Sequence, residues 1–142
     1  MLSYAPFRAR HIDAMNIQDE QEWVMDVYGK ADFVALEGPH AHTLFRDGVP
    51  IVCCGAFELS KVRGSCWAVL SNSIGPLSFR QIHARGKRFL STLPWRRLEA
   101  VVAVDFEAGH RWVRTLGFEL EAPRMKAYEL DGTDCALYAK VN

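Results

Sequence analysis

Three groupings of side chains in this 142-residue chain could do chemistry. His40 and His42 stand two residues apart, which places both on one face of an extended segment, and a neutral imidazole is a common metal ligand. No third ligand is readable beside them, so they read as a loop pair and no metal site is expected. The four cysteines are Cys53, Cys54, Cys66 and Cys135. A reactive thiol needs a neighbouring cation or His to hold it as thiolate, and Cys53-Cys54 lies in an apolar run without one. None forms a C-x-x-C pair, so neither zinc nor a disulfide framework is indicated; buried free thiols in a reducing compartment are the reading. The third grouping is the run "RQIHARGKR" (80–88), joined by Arg96 and Arg97 of "PWRRLE". Clustered cations can hold phosphate or nucleic acid, but base stacking requires exposed aromatics among them, and none is interleaved. With a formal net charge of zero there is no global field to help. The run reads as a solvated helix face, and nucleic acid is not an expected partner.

The elements that must position these groups follow from periodicity. The chain is 49% hydrophobic and 24% charged, which suits one globular domain over 1–142. "MLSYAPFRARHID" has no apolar core of a secretory signal, and no run approaches the roughly 20 apolar residues of a membrane span. "YAPFRARHI" (4–12) alternates as a strand. "NIQDEQEWVMDVYGK" (16–30) repeats Ile17, Trp23, Val24, Val27 and Tyr28 at helical spacing, starts acidic at Asp19, Glu20 and Glu22, and meets Gly29 as a stop. "ADFVALEG" (31–38) is a second short helix. "HTLFRDGVPIVCCGAFEL" (42–59) is a hairpin about Asp47-Gly48, the preferred pair for a type I′ turn, and its second arm is apolar enough to be covered on both faces. "SCWAVLS" (65–71) is a strand. Ser78 with Gln81 makes a capping box for a helix over 79–93, with Phe79, Ile82, Gly86, Phe89, Leu90 and Leu93 as its stripe. "LEAVVAVDF" (98–106) is a buried strand. Next comes a helix buried through Trp112, Val113 and Leu116 and stopped by Gly117. Two strands about Asp131-Gly132 close the chain. The order β-α-α-β-β-β-α-β-α-β-β is α/β (α+β): a mixed, mostly antiparallel sheet flanked by helices, with a right-handed parallel crossover joining 65–71 to 98–106.

That order resembles the N-acetyltransferase (GNAT) family over almost the whole chain. The likeness is strongest in "LEAVVAVDFEAGHRWVRTLGF" (98–118), which is similar to the family's fifth strand, fourth helix and terminal Gly-Phe. A narrower succession is "DEQEW", "RDGVPIVCCGAF", "SCWAVLS", a basic helix, "RWVRTLGF" with its Trp112-Val113 pair, and "DGTDCALY". It resembles the small GNAT-like internal virion or morphogenesis proteins of short-tailed bacteriophages.

The resemblance implies acetyl-CoA, whose diphosphate the family seats on a helix-start loop of pattern Q/R-x-x-G-x-G/A. Free helix-start amides and the dipole hold the anion there. The corresponding turn here, "LSNSIGPLSFRQ" (70–81), has Gly75 followed by Pro76, which has no N–H to give. The family's general acid is a Tyr four residues before the Gly of Gly-Phe; that position is Val113, which leaves Tyr28 and Tyr128 as unassigned substitutes. Glu58 and Asp105 sit near strand ends, where family bases sometimes lie, but read as solvated or capping groups. The main expectation is therefore a catalytically degenerate GNAT-fold phage protein. It would have no catalytic residue and no cofactor, and would work in virion assembly or inside the particle. Its partners would be phage structural proteins or a host protein, its location the host cytoplasm or the virion, and homo-oligomers fit the same picture. The alternative is an acetyl-CoA-dependent N-acetyltransferase with a divergent loop. In it, Ser71, Ser73, Gly75 and Arg80 would face the phosphates and the strand amides after Trp67 would hold the pantetheine arm. A small regulator of a host protein is a third reading.

Overall fold

In the computed structural model the chain is described over residues 1–142, the side chains of Glu20 and Trp23 excepted. The expected acidic start at Glu20 and the apolar-stripe position of Trp23 lie outside the described residues. The elements run β1 (Leu2–Pro6), α1 (Arg10–Asp13), a 3-10 turn (Asp19–Gln21), α2 (Trp23–Val27), α3 (Lys30–Ala35), β2 (Ala41–Arg46), β3 (Val49–Ser60), β4 (Arg63–Leu70), α4 (Pro76–Thr92), β5 (Arg97–Ala103), α5 (Glu107–Thr115), β6 (Glu119–Met125) and β7 (Cys135–Val141). The seven strands form one mixed, mostly antiparallel sheet in the order β1-β2-β3-β4-β5-β7-β6. No described helix is long and apolar enough to cross a membrane. The chain divides into two compact units, residues 1–57 with 67–85, and residues 58–66 with 86–142.

In the first unit β1, β2 and β3 pair antiparallel, from Leu2↔Arg46 to Pro6↔His42 and from Ala41↔Gly55 to Arg46↔Val49. Asp47 and Gly48 both carry positive φ, 50° and 81°, as a type I′ turn demands. Phe7, Ile12, Phe33, Cys53 and Val69 form the core, with Trp67 packed on it. Two sequence expectations change here. The predicted strand 4–12 ends at Pro6 and gives way to the one-turn helix α1, because Ala9 and Ile12, three apart, both turn inward. The predicted helix 16–30 is broken. Ile17 forms an antiparallel bridge to Ser71, a 3-10 turn follows, and α2 ends on an extended Tyr28 (φ −110°, ψ 137°). Gly29 is therefore not its stop; it opens α3, where its amide donates to the Asp32 carboxylate at 2.8 Å.

In the second unit β4 pairs parallel with β5 from Arg63↔Arg97 to Cys66↔Ala100, and β7 lies antiparallel between β5 and β6. Helix α5 ends as "LGF" predicts. Gly117 takes φ 98°, its amide donates to Arg114 O, and Phe118 N–H reaches back to Val113 O at 3.0 Å, closing a Schellman-type cap. Its buried residues are Gly109 and His110; Trp112, Val113 and Leu116 are half-buried. β6 stops at Met125, and 126–134 is a loop rather than a tight hairpin turn.

Across this half of the sheet runs a ladder of ion pairs. Glu99 accepts from Arg63 Nε at 2.9 Å and from Arg97 Nε at 2.8 Å, and Arg97 in turn holds Glu121 at 2.6 Å. The Arg63 hydrogen bond, followed by that from Arg97, holds the Glu99 carboxyl below its ordinary value of 4.5. A depressed carboxylate stabilises the fold above its unfolded value and loses that contribution as pH falls through its folded value. The melting temperature is expected to drop below about pH 4.5, and Glu99→Gln to flatten that acid limb, as differential scanning calorimetry against pH would show.

Candidate functional site

The loop from Leu70 to Pro76 enters α4, and its donors can be followed one by one. Ser71 N–H donates to Ile51 O at 2.8 Å, Asn72 N–H to Asn16 O at 2.8 Å, and Ser73 N–H to Ser71 Oγ at 3.2 Å. Ser71 and Ser73 hydroxyls also bond each other at 2.8 Å, so both serines expected at the phosphates are drawn into a local turn, with Ser71 fully buried. The first rung of α4 is Phe79 N–H to Gly75 O at 2.9 Å. Gly75 is thus the N-cap and Pro76 the first helical residue. This corrects the expected start at Ser78, which instead occupies the third helical position. It also changes the meaning of the proline. At the first helical position the N–H would have no intrahelical acceptor anyway, and the fixed φ of proline suits the helix. The amides of Gly75, Leu77 and Ser78 remain ahead of the ladder, at the positive end of a 17-residue helix. A Cβ at Gly75 would meet nothing within 4 Å, so the space before the helix is open on that side. Arg80, one turn on, is exposed. An anionic diphosphate fits this helix start in charge and donors.

The strand edge beside it fits less well. The amides after Trp67 were expected to take a pantetheine arm. Instead Leu70 N–H donates to Gln21 Oε1 at 2.8 Å, Gln21 Nε2 donates to Ala68 O at 2.9 Å, and Gln18 N–H donates to Leu70 O at 2.9 Å. One side-chain amide and a short stretch of backbone occupy the edge. The Trp67 ring packs edge-on against Phe7, centroids 5.0 Å apart, as part of the core of its unit.

The other named positions each sit within their own unit. Val113 stands where the resemblance puts the acid. Tyr28 packs on the first core, and Tyr128 is half-exposed, its hydroxyl pushed up by burial and then by Glu129. Glu58 is exposed and accepts from Trp95 Nε1 at 3.1 Å. Asp105 is exposed and does not cap α5; the N-cap is Phe106, and only the Asp105 carbonyl accepts, from Glu107 N–H at 3.2 Å. Among the described residues no three His, Cys, Asp or Glu side chains could share a metal ion. Burial pushes the thiols of Cys53 and Cys66 up to about 12, which leaves them protonated and unreactive at neutral pH. Two side chains that matter were not singled out from sequence. Gln21 gave no signal, because a glutamine in an acidic helical stretch reads as solvated. Tyr138 lies in a strand, fully buried, with its hydroxyl 2.8 Å from His110 Nδ1.

No known family model matches the chain, and no curated protein resembles it in sequence. Solved structures do resemble it in shape. Ard1 of Thermoplasma volcanium superposes with a TM-score of 0.76 at 14% identity, over 99% of this chain and 97% of that one. A ribosomal-protein alanine N-acetyltransferase of Escherichia coli does so at 0.70 and 12%, over 99% and 94%. A GNAT-superfamily phosphinothricin acetyltransferase of Sinorhizobium meliloti, in complex with acetyl-CoA, does so at 0.67 and 18%, over 99% and 88%. At such identities the likeness concerns the backbone, and it is continuous from end to end of the chain: this protein has the GNAT fold.

Proposed function

We propose that the chain binds acetyl-CoA at the start of α4 and is an N-acetyltransferase with a divergent diphosphate loop. The observation that carries this reading is the helix start itself: proline occupies the one position where its missing donor costs the helix nothing, and the Gly75, Leu77 and Ser78 amides stand ahead of the ladder. That two of these fold neighbours are acetyltransferases, one of them in complex with acetyl-CoA, supports it. Acetyl-CoA would supply the activated acyl group as a thioester. The chain's part is to seat the diphosphate on those amides, with Arg80 as a charged neighbour, and to orient an incoming amine for direct attack. No proton donor is assigned.

Isothermal titration with acetyl-CoA tests this on three proteins. The unmodified chain is expected to bind in the micromolar range. Pro76→Ala, which adds one donor facing the phosphates, is expected to bind about tenfold tighter, the worth of a charge-assisted hydrogen bond. Gly75→Ala leaves the fold unchanged, since its Cβ meets no atom, but crowds the diphosphate and is expected to bind about tenfold weaker. Absence of binding by all three removes the proposal.

A second reading, a catalytically degenerate GNAT-fold protein, is favoured by Val113 at the acid position and by the occupied β4 edge, while action in phage particles through protein contacts rests on the sequence resemblance alone. Binding of acetyl-CoA without turnover of any amine, together with recovery of the chain from purified particles by mass spectrometry, would select it.

A further inference from the structure

We propose that residues 16–21 form a strap that closes the edge of β4 by imitating a bound amide chain, with Gln21 as its latch. Ser71 N–H points to β3, through Ile51 O, so by the alternation of a strand Leu70 and Asn72 present their amides to the opposite edge. The strap takes four backbone groups on that edge. Asn72 N–H goes to Asn16 O, Ile17 bridges Ser71 antiparallel, and Leu70 O receives Gln18 N–H. Beyond Gln18 the backbone coils into the 3-10 turn and can no longer follow the strand. The next step of the register is filled instead by the Gln21 carboxamide, whose carbonyl takes Leu70 N–H and whose NH2 serves Ala68 O. A primary amide carries the same donor and acceptor as a peptide unit, so Gln21 stands in for the amide of a partner lying along β4.

The strap ends in a 3-residue 3-10 turn and leads into a 5-residue helix, both too short to hold themselves together, so its hold on β4 rests on these hydrogen bonds and on Ile17 packed against the core. Resting on the acetyl-CoA reading, the displaced occupant's place belongs to the secondary amides of the pantetheine arm. Gln21 and the arm then compete for the same two backbone groups, and the measured affinity is lowered by the fraction of chains with the strap closed.

The test compares the unmodified chain with Gln21→Ala by amide hydrogen exchange in NMR, then by acetyl-CoA titration. The exchange rate of Leu70 is read against that of Ser71, whose amide bonds Ile51 and not the strap. Gln21→Ala is expected to speed Leu70 relative to Ser71 about tenfold, and to tighten acetyl-CoA by a similar factor. An unchanged ratio overturns the latch. A faster Leu70 with equal acetyl-CoA affinity in both proteins overturns the competition. A faster Leu70 with no acetyl-CoA binding by either protein supports the latch and sinks the proposed function instead. Should Gln21→Ala accelerate both amides through loss of fold, Gln21→Met, of the same length without the polar head, is read in its place by the same criteria.

Discussion

Gly64→Ala is expected to cost this chain about 2–3 kcal/mol, the upper part of the range for overpacking a rigid site. An added Cβ would sit 2.3 Å from Trp95 Cε3 and 2.7 Å from its Cδ2, well inside any tolerable contact. The neighbour is a flat ring and not the loose end of a flexible chain, so relief requires the whole indole to move. Trp95 is only 5% exposed, and its Nε1 is tied to Glu58 at 3.1 Å. Nor can the backbone retreat easily, since Gly64 is in register with Leu98, itself fully buried in the parallel β4–β5 pair. Urea unfolding of four proteins isolates the cause: unmodified, Gly64→Ala, Trp95→Leu and the double variant. If the ring is the obstacle, the two changes couple, and the double variant is more stable than the sum of the single losses predicts, by about 1 kcal/mol or more. Strict additivity would mean that Gly64 is needed for some reason other than room for Trp95. Gly75→Ala, whose Cβ meets open space, serves as the control and is expected to stay within about 0.5 kcal/mol of the unmodified chain.

What the sequence made legible tracks the range of the interactions involved. The Asp47-Gly48 turn and the Gly117 cap are local: positive φ is cheap only for a few residues, so the letters themselves carry the geometry. The β4-α4-β5-α5 order, and with it the fold class, was readable because apolar periodicity reports burial directly. Failures fall where a tertiary contact overrides a local preference. The helical spacing of Ile17, Val24, Val27 and Tyr28 is real, yet Ile17 is captured by Ser71 and the helix breaks before it can form. Helix α4 is capped at Gly75 rather than at Ser78 with Gln81 because a proline at the first helical position and a glycine N-cap outcompete a serine box that sits three residues too far in. That displacement reaches the candidate site, since the same Pro76 that reads as a broken cradle in sequence becomes a neutral first residue in structure. Gln21 was invisible for the same reason as Ile17: its partners, Ala68 and Leu70, lie 47 and 49 residues away.

Tyr138 supplies the other large expected effect, and its two substitutions separate packing from polarity. The ring is fully buried, and its hydroxyl lies 2.8 Å from His110 Nδ1. His110 Nε2 lies 2.8 Å from the Val104 carbonyl, which can only accept, so Nε2 carries a proton, and in the Nε2–H tautomer Nδ1 is an acceptor. In that tautomer the Tyr138 hydroxyl donates to Nδ1, and the imidazole joins α5, the Val104 carbonyl and β7 through one chain of hydrogen bonds. Tyr138→Phe keeps the shape but strands the Nδ1 lone pair inside the protein, at a cost of about 1–3 kcal/mol. Tyr138→Ala adds the loss of a buried aromatic and the cavity behind it, about 3–5 kcal/mol in all. Chemical unfolding monitored by circular dichroism would order the three proteins. Equal losses for Phe and Ala would mean that the hydroxyl, not the ring, does most of the stabilising. The same geometry bears on catalysis. An acid must stand within hydrogen-bond reach of the group it protonates, and this hydroxyl proton points inward at His110 under a ring without exposed surface, with the Arg114 guanidinium 5.8 Å above it. Any acetyl transfer measured per folded molecule should therefore be unchanged in Tyr138→Phe. A fall of tenfold or more in kcat at full folding would place the missing proton donor of the reaction at this buried tyrosine.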